Sequence, residues 1–486
     1  MEILTLDQIK LADRFTIENE NIHSYTLMER VALNCAERLI QLVPKKSSFF
    51  FYCGQGNNGG DGLLIAKYLR KEGYDVQVFV IQHTESPSED FIRASKEVSH
   101  QLIVKAEDWV LPNPATLIID AILGTGLKRS LSGLLAGIVN RLNELPNAII
   151  SIDIPSGLSC DGDFNGFPAI YARHTLTIQW LKLALVLPPQ NSHSESFEVI
   201  EANILNPNPT NRIEFITAKG IAPLIERRST FAYKGEFGNL LVLAGSKKYT
   251  GAAVLCTHSA LRSGVGKVSI CSDDTTLSVM RASLPEAITL AEWPDNFELY
   301  TSILIGPGIE VTERSGQLLK RILLEFKRPI VLDADAISLL SVHKDWQSLI
   351  PKGSVLTPHL GEFKRLFGCD FSNSNGMERA MSFCKQHDCI MVVKGPYTLV
   401  CGPDGRSYFN STGNPGLAKG GSGDVLAGLI AGLIGRGYSS VIASKIGTYI
   451  HGFSADLVAK DMDVESMLPS DVIARFSDAF KELKEN

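Results

Sequence analysis

Residues 410–437 read "NSTGNPGLAKGGSGDVLAGLIAGLIGRG". Glycines 413, 416, 420, 421 and 423 crowd the approach to an apolar segment, and Asp424 stands where that segment begins as a helix. Backbone this bare turns tightly and aims several N–H groups one way, and the N-terminus of the following helix adds its dipole. The product is an anion hole. An aspartate at its lip suits phosphoryl transfer, because the N–H groups stabilise charge on the moving group while the carboxylate takes a proton from the attacking hydroxyl. An N-capping aspartate after a flexible loop is the other reading, and this stretch alone leaves both open.

Working outward, apolar runs recur between helical segments: "NLLVLAGS", "GKVSICS", "TSILIGPG", "RPIVLDADA", "GSVLTPH", "CIMVVKGP" and "YTLVCGPDG". The segment "TLVCGPDGRSYF" predicts a hairpin at the edge of the sheet these strands form. The same alternation fills the first half, with "SFFFYCG", "YDVQVFVI", "ATLIIDAILG", "NAIISIDIPSG" and "TLTIQWL" as strands and "GLLIAKYLRKEG" as a helix. Near-continuous apolar strands of this kind predict parallel sheets with helices on both faces. Between the halves, "NILNPNPTNR" (203–212) is rich in proline and asparagine and predicts a linker. Two α/β domains follow, 1–210 and 211–486. Residues 5–42 predict two helices, with capping boxes at Thr5–Gln8 and Thr26–Glu29. Met28, Val31, Ala32, Cys35 and Leu39 make one apolar face. That pair of helices also suits a contact between subunits, so a homo-oligomer is expected.

The 486 residues carry a net charge of −6 and no Lys/Arg run, which argues against nucleic acid as a partner. The nine cysteines form no CxxC pair, and Cys35, Cys53 and Cys271 lie in apolar runs, as reduced core thiols do. The opening MEILTLDQ lacks the features of a signal peptide, and no apolar run approaches the roughly 20 residues a membrane span needs. A cytoplasmic location without membrane contact is the expectation.

A second glycine loop lies near the N-terminus. "FYCGQGNNGGDGLLIAKYL" holds Gly54-x-Gly56-x-x-Gly59 between a strand and a helix, formally a dinucleotide fingerprint and by itself a weak one. The next strand ends in Gln82 and His83 rather than in an acid for a ribose, and Asp61 puts negative charge where a pyrophosphate would sit. Two further strands end at Asp120 and Asp153, so Asp61, Asp120 and Asp153 could all reach one crevice. Asn58, Asp120 and Ser156 bring oxygen ligands that suit a hard cation. Each aspartate could instead cap the helix after it.

The motifs "GQGNNGGDG", "DAILGTGL" and "SIDIPSGLSCDG" resemble the epimerase domain that interconverts the R and S hydrates of NADH and NADPH. The resemblance covers about residues 1–210. It implies a Rossmann-like three-layer domain in which Asn57, Asn58, Gly59, Gly60 and Asp61 touch the substrate. It adds Gly124, Thr125, Gly126, Leu127, Lys128, Arg129 and Ser130 on a second loop, with Asp153 as the acid–base residue. It further implies potassium on Asn58, Asp120 and Ser156. The same domain occurs in RNA-decapping scaffold proteins, where catalysis has been lost.

Over residues 213–486, the opening stretch together with "YKGEFGNLLVLAGSKKYTGAAVL", "ILIGPGI", "VLDADAI", "LTPHLGEFKRL" and "VVKGPYTLV" resembles the ribokinase-like superfamily, in its NAD(P)H-hydrate dehydratase branch. The resemblance implies that Ala253, Gly308, His359 and Asp424 contact the hydrated nucleotide. Lys394, Gly395, Pro396, Tyr397, Thr398 and Gly423 would hold ADP with magnesium. Asp424 would activate the C6 hydroxyl of the S hydrate to attack the terminal phosphate, and loss of phosphate would restore NAD(P)H, leaving AMP. Leu360 replaces the proline common in "TPHPGE", and Lys419 stands where a small or hydroxylated residue is usual, facing either a phosphate or solvent. A small-molecule kinase fused to a non-catalytic binding domain is the rival reading.

Overall fold

Alternate residues of the first strand are buried on opposite sides. Phe49, Phe51 and Cys53 join one apolar cluster, and Phe50 and Tyr52 join another. A strand buried on both faces belongs inside a layered α/β unit, where the side-chain period of two feeds two cores. The structure, a computed structural model, describes residues 1–105, 108–127, 129–162, 168–208 and 212–485. It divides into two units, Met1–Asn211 with Ser372–Asn375, and Arg212–Phe371 with Gly376–Asn486.

The first unit holds β1 (Ser48–Cys53), β2 (Asp75–Ile81), β3 (Gln101–Ile103), β4 (Leu117–Ala121), β5 (Ile149–Ile152), β6 (His174–Ile178) and β7 (Phe197–Ile200). They form one seven-stranded sheet in the order β3-β2-β1-β4-β5-β6-β7, parallel throughout. Among the described residues, α-helices α1 (Leu6–Glu20), α2 (Ser24–Leu42), α3 (Asn57–Lys71), α4 (Glu89–Glu97) and α5 (Gly133–Asn143) accompany it. Residues of α2, α3 and α4 share the cluster of Phe49 and Phe51, whereas α5 packs on the side of Phe50 and Tyr52. The three layers expected are therefore present. Strand order reverses between β1 and β4, and a ligand crevice opens at the carboxyl ends of strands at such a point.

Some local expectations are corrected. Thr5 and Gln8 form their capping box, but Thr26 and Glu29 do not. Asn21 ends α1 in a left-handed conformation, and α2 begins at Ser24 behind an extended His23, so Thr26 is already inside the helix. Nor is the stretch from residue 203 free of packing. Ile204 is buried, and the Leu205 N–H donates to Thr16 Oγ1 at 2.9 Å.

The second unit contains β8 (Ile213–Phe215), β9 (Asn239–Leu243), β10 (Lys267–Cys271), β11 (Ile288–Leu290), β12 (Ser302–Ile305), β13 (Ile330–Leu332), β14 (Val355–Leu356), β15 (Ile390–Val393), β16 (Leu399–Cys401) and β17 (Ser407–Phe409). The ten strands run in the order β11-β10-β9-β12-β13-β14-β15-β16-β17-β8. The expected hairpin exists as the antiparallel pair β16–β17, but β8 pairs with β17 and takes the edge. Helices α6 (Ala218–Ile221), α7 (Thr250–Arg262), α8 (Asp274–Ser283), α9 (Glu313–Glu325), α10 (Asp335–Val342) and α11 (Leu360–Phe367) come first along the chain. After them come α12 (Asn373–His387), α13 (Ser422–Arg436), α14 (Ser440–Val458), α15 (Pro469–Ala474) and α16 (Phe476–Glu485).

The opening stretch becomes the end of a loop and the helix α13. Inside α13, Gly428 and Gly432 leave room for α7, since a Cβ on Gly428 would overlap the Cys256 carbonyl oxygen. Ser259 Oγ of α7 donates to the Val425 carbonyl at 2.5 Å across this seam. The helix glycines therefore serve close packing.

Candidate functional site

In the first unit the crevice at the reversal point is a cavity of about 730 Å³. Asn57, Asn58 and Asp61 of α3 line it together with Gly124, Thr125, Gly126, Leu127, Arg129 and Asp153. Gly59 and Gly60 are buried beneath this rim, where a Cβ on Gly60 would meet the Met28 sulfur at 2.7 Å. Ser130 lines a neighbouring groove with Gln82 and His83. Lys128 lies outside the described residues.

Asp153 follows β5 with φ of 70°, a conformation that costs a non-glycine residue energy and marks a fixed position. Its Oδ2 accepts the Thr125 N–H at 3.1 Å, and its Oδ1 pairs with Lys182 Nζ at 2.5 Å. Gly124 permits this approach, because a Cβ there would lie 2.9 Å from Asp153 Oδ2. Lys182 is 1% exposed and also donates to the Ile178 carbonyl at 2.8 Å. No motif announced Lys182. It reaches Asp153 from beyond β6, and only sheet order brings the two together.

Asp120 is fully buried and absent from the cavity lining. It accepts Ser156 Oγ at 2.6 Å, Ser156 N at 2.9 Å, Ser151 Oγ at 2.8 Å and Ile122 N at 3.2 Å. Burial pushes its pKa up against the pull of those neutral donors. On the cavity wall, both side-chain polar atoms of Asn58 are buried without a partner among the described residues. A buried carboxylate and an orphaned amide oxygen fit a hard cation. None of Asp61, Asp120 and Asp153 caps a helix: Asp61 lies within α3, Asp120 within β4, and Asp153 follows β5.

The second site gathers at the carboxyl ends of β9, β12, β13, β14 and β15, facing the start of α13. Lys394, directly after β15, pairs with Asp333 Oδ1 at 2.8 Å and lies 3.8 Å from Glu362 Oε2. Asp333 is 1% exposed and also accepts Thr357 Oγ1 at 2.7 Å. Burial opposes the charge on Lys394, yet the Asp333 and Glu362 carboxylates outweigh it and leave the pKa raised. A Cβ on Gly423 would sit 3.1 Å from Lys394 Nζ, so this ammonium reaches the first turn of α13. Asp424 stands in that turn, not at the cap, which is Gly421 with φ of 97°. Burial and then the Asp333 charge push Asp424 up to about 7, against the pull of Lys394.

His359 is the N-cap of α11. Its Nδ1 accepts the N–H groups of Gly361 at 2.9 Å and Glu362 at 3.3 Å, and Glu362 accepts the His359 N–H at 2.9 Å. Those bonds place the ring proton on Nε2, the half-exposed side. Gly308 has φ of 65° and presses against Tyr249, while Ala253 is buried in α7 beside Gly245. The Gly395–Thr398 turn is closed by Thr398 Oγ1 donating to the Gly395 carbonyl at 3.1 Å. Lys419 is exposed, as one of its two readings expected, and its Nζ donates to the carbonyls of Glu465 at 2.9 Å and Met467 at 2.8 Å. Asp456 of α14 holds the GNPG segment, accepting Gly413 N at 2.9 Å and Asn414 Nδ2 at 3.1 Å. Asp333 and Glu362 stood in quoted segments without a role; their shared ammonium supplies one.

Residues 240–477 match the family described as NAD(P)H-hydrate dehydratase, and residues 24–184 match the family described as YjeF-related protein N-terminus. The bifunctional NAD(P)H-hydrate repair enzyme Nnr of Moorella thermoacetica is 32% identical over 97% of this chain and 95% of its own. The chain belongs to the bifunctional NAD(P)H-hydrate repair family. The Escherichia coli member is 28% identical over 96% of this chain and 92% of its own length. Among solved structures, the ADP/ATP-dependent NAD(P)H-hydrate dehydratase of Bacillus subtilis, co-crystallized with ATP/Mg2+, is 29% identical with a TM-score of 0.50. That match covers 56% of this chain and 98% of the other. A ribokinase-like protein of Enterococcus faecalis, 24% identical with a TM-score of 0.51, shares the fold. No helix among the described residues is long and apolar enough to cross a membrane.

Proposed function

We propose that this chain repairs hydrated NADH and NADPH, epimerising the R and S hydrates at C6 in residues 1–210 and dehydrating the S hydrate in residues 211–486. The observation that carries the reading is the placement of Asp424 in the first turn of α13, beside Gly423 and the ammonium of Lys394. A base at a helix N-terminus with a fixed cation in reach suits transfer of a phosphoryl group to a hydroxyl.

In the dehydratase unit, Asp424 takes the proton from the C6 hydroxyl as that oxygen attacks the terminal phosphate of the nucleotide. Lys394, held by Asp333, offsets the charge on the transferring group, and the free N–H groups of the first turn of α13 add to it. Phosphate then leaves C6 and a proton leaves C5, restoring the dihydropyridine. ADP is the donor in this reading, with magnesium arriving on its phosphates. His359, with Nδ1 committed to the α11 cap, orients substrate through its exposed edge.

In the epimerase unit, the ring nitrogen expels the C6 hydroxyl to give an iminium, and water returns on the other face. Asp153, fixed by Thr125 and Lys182, serves as the acid–base residue. Potassium on Asn58, Asp120 and Ser156 would supply a positive charge beside the buried carboxylate. The amphipathic helices α1 and α2 are where we place the contact of a homo-oligomer.

The test is incubation of the purified chain with mixed R and S hydrates, magnesium, potassium and either ADP or ATP. Recovery of the dihydronicotinamide absorbance to completion with ADP is the expected result. Recovery that stops once the S form is consumed removes the epimerase assignment. No recovery with either nucleotide removes the dehydratase assignment and supports a kinase with a stable phosphorylated product.

A further inference from the structure

Epimerisation at C6 needs proton transfer twice, on opposite faces of one ring. Hydroxide is a poor leaving group, so an acid must protonate the departing oxygen. A base must take the surplus proton from the water that returns. Asp153 can serve one face only, since it is pinned through Oδ1 to Lys182 and through Oδ2 to Thr125.

The same cavity holds a carboxyl that no motif announces. Asp13 lies on α1 and lines the cavity with Lys10 and Ile17 of its own helix, facing residues of α3 and the loop after β4. No hydrogen bond or ion pair among the described residues engages its side chain. Among the described residues, the other charged groups around that cavity are Lys10, Asp61, Asp90, Arg129, Asp153 and Lys182, from α1, α3, α4, the loop after β4 and the segments after β5 and β6. Burial and then the Asp153 charge push Asp13 up to about 6, while Lys182 pulls it down. Asp61, by contrast, is pushed well above the usual carboxylate range by burial and then by the charges of Asp153, Asp13 and Asp90. An acid–base residue works best when its pKa lies near the operating pH.

We propose that Asp13 is the second acid–base residue of the epimerase cavity, a catalytic partner to Asp153; the inference rests on the epimerase reading above. In the forward direction the C6–O bond breaks, its electron pair stays on oxygen, and that oxygen takes the Asp13 proton and departs as water. The N1 lone pair forms the C6=N1 bond of the iminium. A water on the opposite face forms the new C6–O bond, returns the π pair to N1, and gives its surplus proton to Asp153. The reverse reaction exchanges the two roles. One hydroxyl is thus traded for one from solvent in every turnover.

The full chain is assayed for conversion of the R hydrate to the S hydrate in water enriched in oxygen-18, with wild type, Asp13→Asn and Asp13→Glu. Wild type is expected to incorporate one label per epimerisation, at a rate that falls as pH rises through about 6. Asp13→Asn is expected to lower kcat by about 100-fold or more with KM for the R hydrate nearly unchanged, and to abolish that pH limb. Asp13→Glu restores most of the rate and the limb, which a merely structural role would not do. A wild-type chain that does not epimerise overturns the functional reading itself. A wild type that epimerises without taking up label overturns only the two-carboxyl scheme. So does an Asn variant that keeps its kcat or the wild-type pH profile.

Discussion

Replacing Asp424 by asparagine removes one proton acceptor and little else, so its effect can be worked through closely. The carboxyl is pushed up to about 7 by burial and by Asp333, with Lys394 opposing. A base acts when deprotonated, so about a tenth of the chains are competent at pH 6 and about nine tenths at pH 8. Dehydration of the S hydrate, measured at saturating nucleotide and magnesium, is therefore expected to rise about tenfold between those pH values and then level off. Asp424→Asn is expected to cost about 10²–10⁴ in kcat, the usual worth of general base catalysis. Its residual rate should lose the pH limb, which separates Asp424 from titration of the nucleotide phosphates. Stability runs the other way. The folded pKa lies above the unfolded value, so stability contributed by the protonated carboxyl is lost as pH rises through about 7. The asparagine variant, which carries no such charge, is expected to melt no lower than wild type at pH 8, and its epimerase rate should be unchanged. A dehydratase rate that is flat from pH 6 to 8, or an asparagine variant within about threefold of wild type, would refute the assignment of the base.

Further outcomes follow from the charge and packing of the second unit. Lys394→Met strands Asp333 in the interior and is expected to destabilise the second unit by about 3–5 kcal/mol in a denaturant melt. Adding Asp333→Asn should recover most of that stability and none of the dehydratase activity. In the single variant, loss of the cation should move the Asp424 limb to higher pH. Gly428→Ala puts a methyl group against the Cys256 carbonyl and should cost about 1–3 kcal/mol or more. Gly420→Ala, with open space around its Cβ, should leave the melting temperature within a degree or two, roughly the resolution of such a scan.

Much of the fold is legible because its central strands are buried on both faces. "SFFFYC" and "LIIDA" carry no polar face to confuse the pattern, and each runs straight into its site loop. The four strands that the pattern misses, β3, β7, β8 and β11, have three or four residues each with at most one buried. Their pairing comes from the sheet edge they complete rather than from their own composition. The Thr26–Glu29 box fails for a related reason. Its spacing is right, but the chain had already entered the helix at Ser24.

By itself the sequence determined two glycine loops, the acids that follow strands, and the class of chemistry each can support. These are local properties, since a turn needs glycine and a helix start needs an acceptor wherever they fall in the fold. What only tertiary structure decided is which distant groups those acids meet. Lys182 reaches Asp153 because β5 and β6 are neighbours, and Lys394 reaches Asp333 because β13, β14 and β15 are neighbours. Asp13 faces the cavity because α1 lies across it. Electrostatic coupling acts through space and depends on burial, and neither quantity is written in the spacing of residues along a chain.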